Sequence, residues 1–146
     1  MRPPVTHSLV DQLRSVADFA ALEDAALLQI VGASANLFWS AGSLVFEQGA
    51  PAEALYVVVS GRVQVFEVDD GQEQEVTEVG VGGCFGEYSL LLHTTHSRSA
   101  RAVEDCELMV VPKDYFQPLL AGHPDLAAHF RGKLEARLSE GRSSDT

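Results

Sequence analysis

FGEYSLLLHTTHSRSARA, residues 85–102, carries more information about this chain than any other stretch. It sets a glycine, Gly86, beside an isolated carboxylate, Glu87, and returns after a short apolar segment to an arginine, Arg98, followed by Ser99 and Ala100. Gly86 has no Cβ, which opens backbone conformations denied to other residues and lets a ligand approach the main chain closely. Glu87 to Leu92 is short and apolar, suited to one or two helical turns whose first amides lack partners within the helix and accept an anion. Arg98 offers a planar fork of donors matched to two phosphate oxygens, while ionised Glu87 can accept the proton of a hydroxyl. In an empty site these two opposite charges are expected to restrain each other.

On either side of this segment the pattern is one of many short strands. From Leu44 to Val111, runs rich in Val and Phe are separated by Gly49, Gly61, Asp70-Gly71 and the glycines between Gly80 and Gly83. Asp70-Gly71 predicts a tight hairpin turn. Such strands predict a mainly β fold, an antiparallel sandwich or roll that buries their apolar faces. Helices flank it. Ser8 followed by Asp11 resembles a capping box, and Leu9, Leu13 and Val16 have helical spacing. Glu23 to Ala33 predicts a second helix with Leu27, Ile30 and Val31 on one side, and Lys113 to Leu120 a short one despite Pro118. A terminal helix begins around Pro124, where proline suits the first turn and Asp125 the positive end of the helix dipole. Its apolar stripe, Leu126, Phe130, Leu134 and Leu138, must be covered. The cover is the roll, a second copy in a homodimer, or, if the helix is a mobile lid, a bound ligand.

Composition sets the outer bounds. With 146 residues, 46% hydrophobic and 21% charged, the chain suits one domain with one core. No apolar run approaches the roughly 20 residues that cross a bilayer, and Met1-Arg2-Pro3-Pro4 lacks the apolar stretch of a secretory signal, so a cytoplasmic protein is expected. Cys84 and Cys106 have no metal-binding spacing and are expected to pack as reduced thiols. A net charge of −11 repels nucleic acid and anionic membranes, so no direct nucleic-acid contact is expected. It does not exclude an anionic ligand, because one arginine and a few oriented amides act at contact range while diffuse charge is screened over about 8 Å.

Phe85-Gly86-Glu87, Arg98-Ser99-Ala100, Ala41-Gly42, Gln48-Gly49, the run from Leu55 to Val63, and Gly80 with Gly82 form an ordered series. In this series the chain resembles the cyclic nucleotide-binding domain family, the module of catabolite activator protein and protein kinase A regulatory subunits, over roughly Phe19 to Leu138. The resemblance implies an antiparallel β-roll, jelly-roll-like and of the double-stranded β-helix kind, with N-terminal helices and a C-terminal helix. It divides the chain into an N-terminal helical segment (1–18), the binding domain with its lid or dimer helix (19–138) and a tail (139–146).

The resemblance also implies a ligand set. The cyclic phosphate would rest on Arg98 and the amides of Gly86, Ser99 and Ala100, with Glu87 on the ribose 2′-hydroxyl and Tyr88 and Ser89 completing the site. Phe85, Arg101 and Arg137 are further candidates, Arg101 being otherwise a solvated strand residue and Arg137 a surface residue. Ser97, Ala50 and Arg101 stand where the family often has Pro, Asp and Thr. Because Thr at the Arg101 position helps bind guanine in the family, its absence tilts the expectation toward cyclic AMP over cyclic GMP. His93 and His96 lack a third ligand and are expected to be loop residues, with no metal bound. No nucleophile with a base is evident, so the expected function is a non-catalytic regulatory module that binds a cyclic nucleotide and shifts its terminal helix. Gly141 to Thr146 ends the chain where the catabolite activator family continues into a DNA-reading domain, so the effector is expected on a partner or a further region. The rival expectation is a protein interaction module of the same fold with a vacant pocket.

Overall fold

The central strands are apolar on both faces because both faces are covered. The computed structural model describes residues 5–144, and side chains over residues 9–138. Helix α1 (Val5–Arg14), a 3-10 turn (Ala17–Phe19) and α2 (Asp24–Ala33) precede the strands β1 (Ala35–Trp39), β2 (Leu44–Phe46), β3 (Ala54–Ser60), β4 (Val63–Asp69), β5 (Gln72–Val79) and β6 (Cys84–Phe85). Then come α3 (Glu87–Leu92), β7 (Ser99–Ala102), β8 (Cys106–Pro112), α4 (Lys113–Gly122) and α5 (Pro124–Ser144). The strands form two four-stranded antiparallel sheets, ordered β1-β8-β3-β6 and β2-β7-β4-β5, which make the expected roll.

Strand periodicity splits the interior into two cores that share β3 and β8. Leu55 and Val57 of β3, with Met109 and Val111 of β8, face the helices and pack with Leu13, Phe19, Leu27, Ile30, Phe116 and Phe130. Their alternate neighbours Val58 and Leu108 face the inside of the roll and pack with Val63, Phe85, Ala100 and Ala102. Asp70 and Gly71 both have positive φ, 52° and 77°, and close the β4–β5 hairpin with Asp69 paired to Gln72, as the sequence predicted.

Three boundaries differ from expectation. Helix α1 already runs at Val5, the first described residue, so Ser8 lies within the helix rather than capping it; its side chain is outside the described residues. Strand β1 lies ahead of Leu44, where no strand was expected. It is an edge strand paired only with β8, with Phe38 61% exposed, so it lacks the one-sided apolar alternation that marks a half-buried strand. Helix α5 continues past residue 138 to Ser144, into the segment expected to be a tail. Its first half is anchored by Leu126 and Phe130, the latter edge-on to Phe116 at 5.3 Å, whereas Leu138 is exposed.

Candidate functional site

Between the two sheets and α5 lies a cavity of about 180 Å³. Its walls are Phe46, Val65, Thr77, Val79 and Cys84 from the strands, Phe85 to Ser89 around the start of α3, the loop His96 to Arg98, and Lys133 and Arg137 from α5. Gly86 is the corner on which α3 turns. Its φ is +87°, and a Cβ there would meet the Tyr56 ring at 3.1 Å and the Ala54 carbonyl oxygen at 3.3 Å, so both the backbone conformation and the space require glycine.

This corner carries Glu87 into the interior, where it is 2% exposed. Its Oε1 lies 3.6 Å from Lys133 Nζ, while Oε2 is buried with no hydrogen-bond partner among the described residues. Burial pushes the carboxyl up and Lys133 opposes this; the balance stays above the ordinary carboxylate value. Because the folded state then holds the proton more tightly than the unfolded chain, ionised Glu87 destabilises the fold above about pH 4.5, its ordinary value, and not below it. Glu87→Gln is accordingly expected to raise the stability of the unliganded protein at neutral pH by on the order of 1 kcal/mol. The gain should fade in acid, and urea unfolding at pH 7 and pH 4 checks both halves of that statement.

Arg98 enters the same cavity but does not pair with Glu87, contrary to expectation. Its Nε donates to Glu67 Oε1 at 3.0 Å. The cause is register: β4 and β7 pair Phe66 with Ser99, which puts Glu67 and Arg98 opposite each other at the mouth of the roll. Arg137, from α5, lies over the Tyr88 ring at 4.3 Å and donates to Ser97 Oγ at 3.1 Å. Burial, and then the nearby Arg98, lower its proton affinity. The cavity thus gathers three cations, Arg98, Lys133 and Arg137, against the one carboxylate of Glu87, in a chain whose net charge is −11.

Of the expected site residues, Phe85, Gly86, Glu87, Tyr88, Ser89, Arg98 and Arg137 line this cavity. Ser99, Ala100 and Arg101 do not. Ser99 Oγ accepts a hydrogen bond from the Gln48 amide at 2.8 Å, and Ala100 is fully buried in the roll. Arg101 is three residues beyond Arg98, an odd step along a strand, and so faces the opposite side. There it stacks on Phe66 and donates to Glu73 and Gln64 at 2.7 and 2.8 Å. Arg101 therefore does not border this cavity in the unliganded protein. His96, expected as a plain loop residue, is buried in the cavity wall and stacks on Phe46 at 3.6 Å; burial lowers its proton affinity.

Lys133 and Asp18 were not foreseen. Lys133 Nζ donates to Asp18 Oδ1 and Oδ2 at 3.1 and 3.3 Å, across 115 residues of sequence. Burial disfavours its charge, but Glu87 and Asp18 outweigh that and raise its proton affinity. The signal available in sequence was spacing: Lys133 and Arg137 are four apart and flank the apolar stripe of α5, so both face inward.

The profile of the family described as cyclic nucleotide-binding domain matches residues 37–123. The cyclic AMP receptor protein of Thermus thermophilus is 39% identical over 100 residues, 68% of this chain and 46% of that protein. The lysophospholipase NTE1 of Chaetomium globosum is 31% identical over 100 residues, 68% of this chain and 7% of that protein. The chain therefore spans less than half the length of either curated relative. The crystal structure of Thermus thermophilus catabolite activator protein superposes with a TM-score of 0.78 at 32% identity, over 87% of this chain and 60% of that one.

Proposed function

The chain belongs to the cyclic nucleotide-binding domain family, and on that footing we propose that its cavity binds cyclic AMP and that occupancy is relayed through α5, with no reaction catalysed. One observation carries this reading. Glu87 Oε2 is buried and unpartnered in the same cavity that holds the Arg98 guanidinium, so an acceptor awaits a hydroxyl where a cation awaits an anion. A cyclic ribose phosphate supplies both from one rigid molecule.

In this reading the phosphate draws Arg98 away from Glu67, which is about half exposed and readily resolvated. The amide of Gly86 is a further phosphate contact, Ser99 and Ala100 standing outside the cavity wall, and Glu87 Oε2 accepts from the 2′-hydroxyl. Tyr88 and Ser89 border the site from α3. Cyclic AMP is preferred over cyclic GMP on the strength of the 39% identical cyclic AMP receptor protein. At about 180 Å³ the cavity is below the roughly 300 Å³ usual for a small-molecule site, with Lys133 and Arg137 of α5 across it, so binding requires α5 to yield. A ligand moves that helix only through its difference in affinity for the two positions. Exposed Leu138 on α5 is the surface offered to an effector protein or a second copy.

The same small cavity favours one rival, a module of this fold that holds no nucleotide. Thermal unfolding separates the two. Cyclic AMP at 100 times its dissociation constant should add about 2.7 kcal/mol of stability. No shift with cyclic AMP or cyclic GMP selects the vacant module. 2′-Deoxy cyclic AMP should bind about 1.5–3 kcal/mol more weakly than cyclic AMP, the usual worth of a hydrogen bond to a charged group. Equal affinity removes Glu87 from the ribose.

A further inference from the structure

Beside the cavity, with Glu87 and Lys133 in its wall, four titratable side chains from three elements form one chain. His129 Nε2 and Lys133 Nζ, both on α5, meet Asp18 of the 3-10 turn at 2.5 and 3.1 Å, and Lys133 continues to Glu87 of α3 at 3.6 Å. The side chains of Asp18 and Glu87 are 11% and 3% exposed and those of His129 and Lys133 41% and 29%, so the array runs from the surface inward and ends on two buried carboxylates. Buried charges cost desolvation, and a hydrophobic substitute often serves stability as well, so such an array needs a reason other than holding the fold. The geometry supplies one. Lys133 Nζ lies 3.6 Å from Oε1 of Glu87, and Oε2 has no hydrogen-bond partner among the described residues, so the carboxylate is held from one side with hydrogen-bonding capacity left over. Asp18 holds the ammonium through both its oxygens, which keeps Lys133 from swinging forward to an anion bound at Arg98.

We propose that Lys133, clamped by Asp18, is a positioning residue for Glu87: it holds the carboxylate in place so that the oxygen without a partner is kept for the ligand's sugar hydroxyl. The proposal rests on the reading of the cavity as a cyclic nucleotide site. It makes Lys133 act on the ribose and not on the phosphate, although all three cations border one space. It also ties the hydroxyl acceptor to the N-terminal helical segment through Asp18, so that a ligand hydroxyl on Glu87 is felt by two elements besides α3.

The test is a comparison of ligands across variants of the full chain. Affinities for cyclic AMP and 2′-deoxy cyclic AMP are measured by calorimetry for wild type, Lys133→Met, Lys133→Arg and Asp18→Asn. Wild type should prefer the ribonucleotide by roughly ten- to a hundredfold, the fold-change of one charged hydrogen bond. Lys133→Met should cut that preference at least threefold while binding the deoxy ligand within about twofold of wild type, which also shows that the variant is folded. Lys133→Arg should restore the preference, and Asp18→Asn should lower it in the same direction. A Lys133→Met protein that keeps the wild-type preference, or weakens both ligands equally, overturns the positioning role alone. Wild type that binds neither nucleotide overturns the cyclic nucleotide reading and this role with it.

Discussion

Arg98→Leu is expected to lower cyclic AMP affinity by roughly 10²- to 10³-fold while leaving the protein folded. Truncating one partner of a buried, charge-assisted pair typically costs about 2–5 kcal/mol, and each 1.4 kcal/mol is tenfold in affinity. The phosphate would then sit in a partly closed cavity facing leucine, its nearest remaining cations being Lys133, already clamped by Asp18, and Arg137, held over Tyr88 and bonded to Ser97. Stability should barely change, because the one ion pair lost among the described residues is that with Glu67, an interaction open to water and worth at most about 1 kcal/mol. The two measurements are a titration with cyclic AMP and a urea unfolding curve. Binding within tenfold of wild type would shift the anion site to Arg137, and a collapsed unfolding midpoint would make Arg98 structural.

Gly61→Ala is expected to have the largest effect on the fold itself. Gly61 closes the turn from β3 to β4 at φ +85°, and a Cβ there would fall 2.5 Å from both the Asp105 carbonyl oxygen and Cys106 Cβ. Left-handed backbone costs a non-glycine residue about 1–2 kcal/mol before any collision is counted. The collision is with main chain and with the buried start of β8, so relief means moving a strand that both cores use. A total on the order of 4 kcal/mol is expected, a large part of the 5–15 kcal/mol that holds a domain together. Gly42→Ala is the control: φ is +89°, but nothing lies within 4 Å of its would-be Cβ, so only the backbone cost applies. Equal denaturation midpoints for the two variants would contradict the crowding described at Gly61.

The roll was legible because its cause is local. Apolar runs in β3 and β8, turn glycines and the Asp70-Gly71 hairpin each bear on a few consecutive residues. The same holds for α3, whose Glu87–Leu92 span matches the expected one, and for the corner at Gly86. What the sequence left out depends on pairing. Strand β1 gains its place only from β8, seventy residues on, and the Glu67–Arg98 contact exists only once β4 and β7 are in register. Arg101 went astray for the same reason, since a strand's side-chain alternation sorts residues only after the strand's limits are known. Lys133 and Asp18 meet across the whole length of the domain, and a lone lysine on a helix ordinarily reads as surface.

A pair of central strands wetted on neither side limits what can move. Peeling the helical layer from β3 and β8 would expose Leu55, Val57, Met109 and Val111 together with Phe116 and Phe130, so that layer behaves as bedrock. Phe130 is the last large apolar side chain of α5 that is fully buried, and beyond it the helix is tethered mainly through Lys133 and Arg137. Any swing of the helix therefore has its fulcrum at Phe130 and the neighbouring Lys133, with the contacts of Arg137 to Tyr88 and Ser97 as the mooring that a bound nucleotide must loosen.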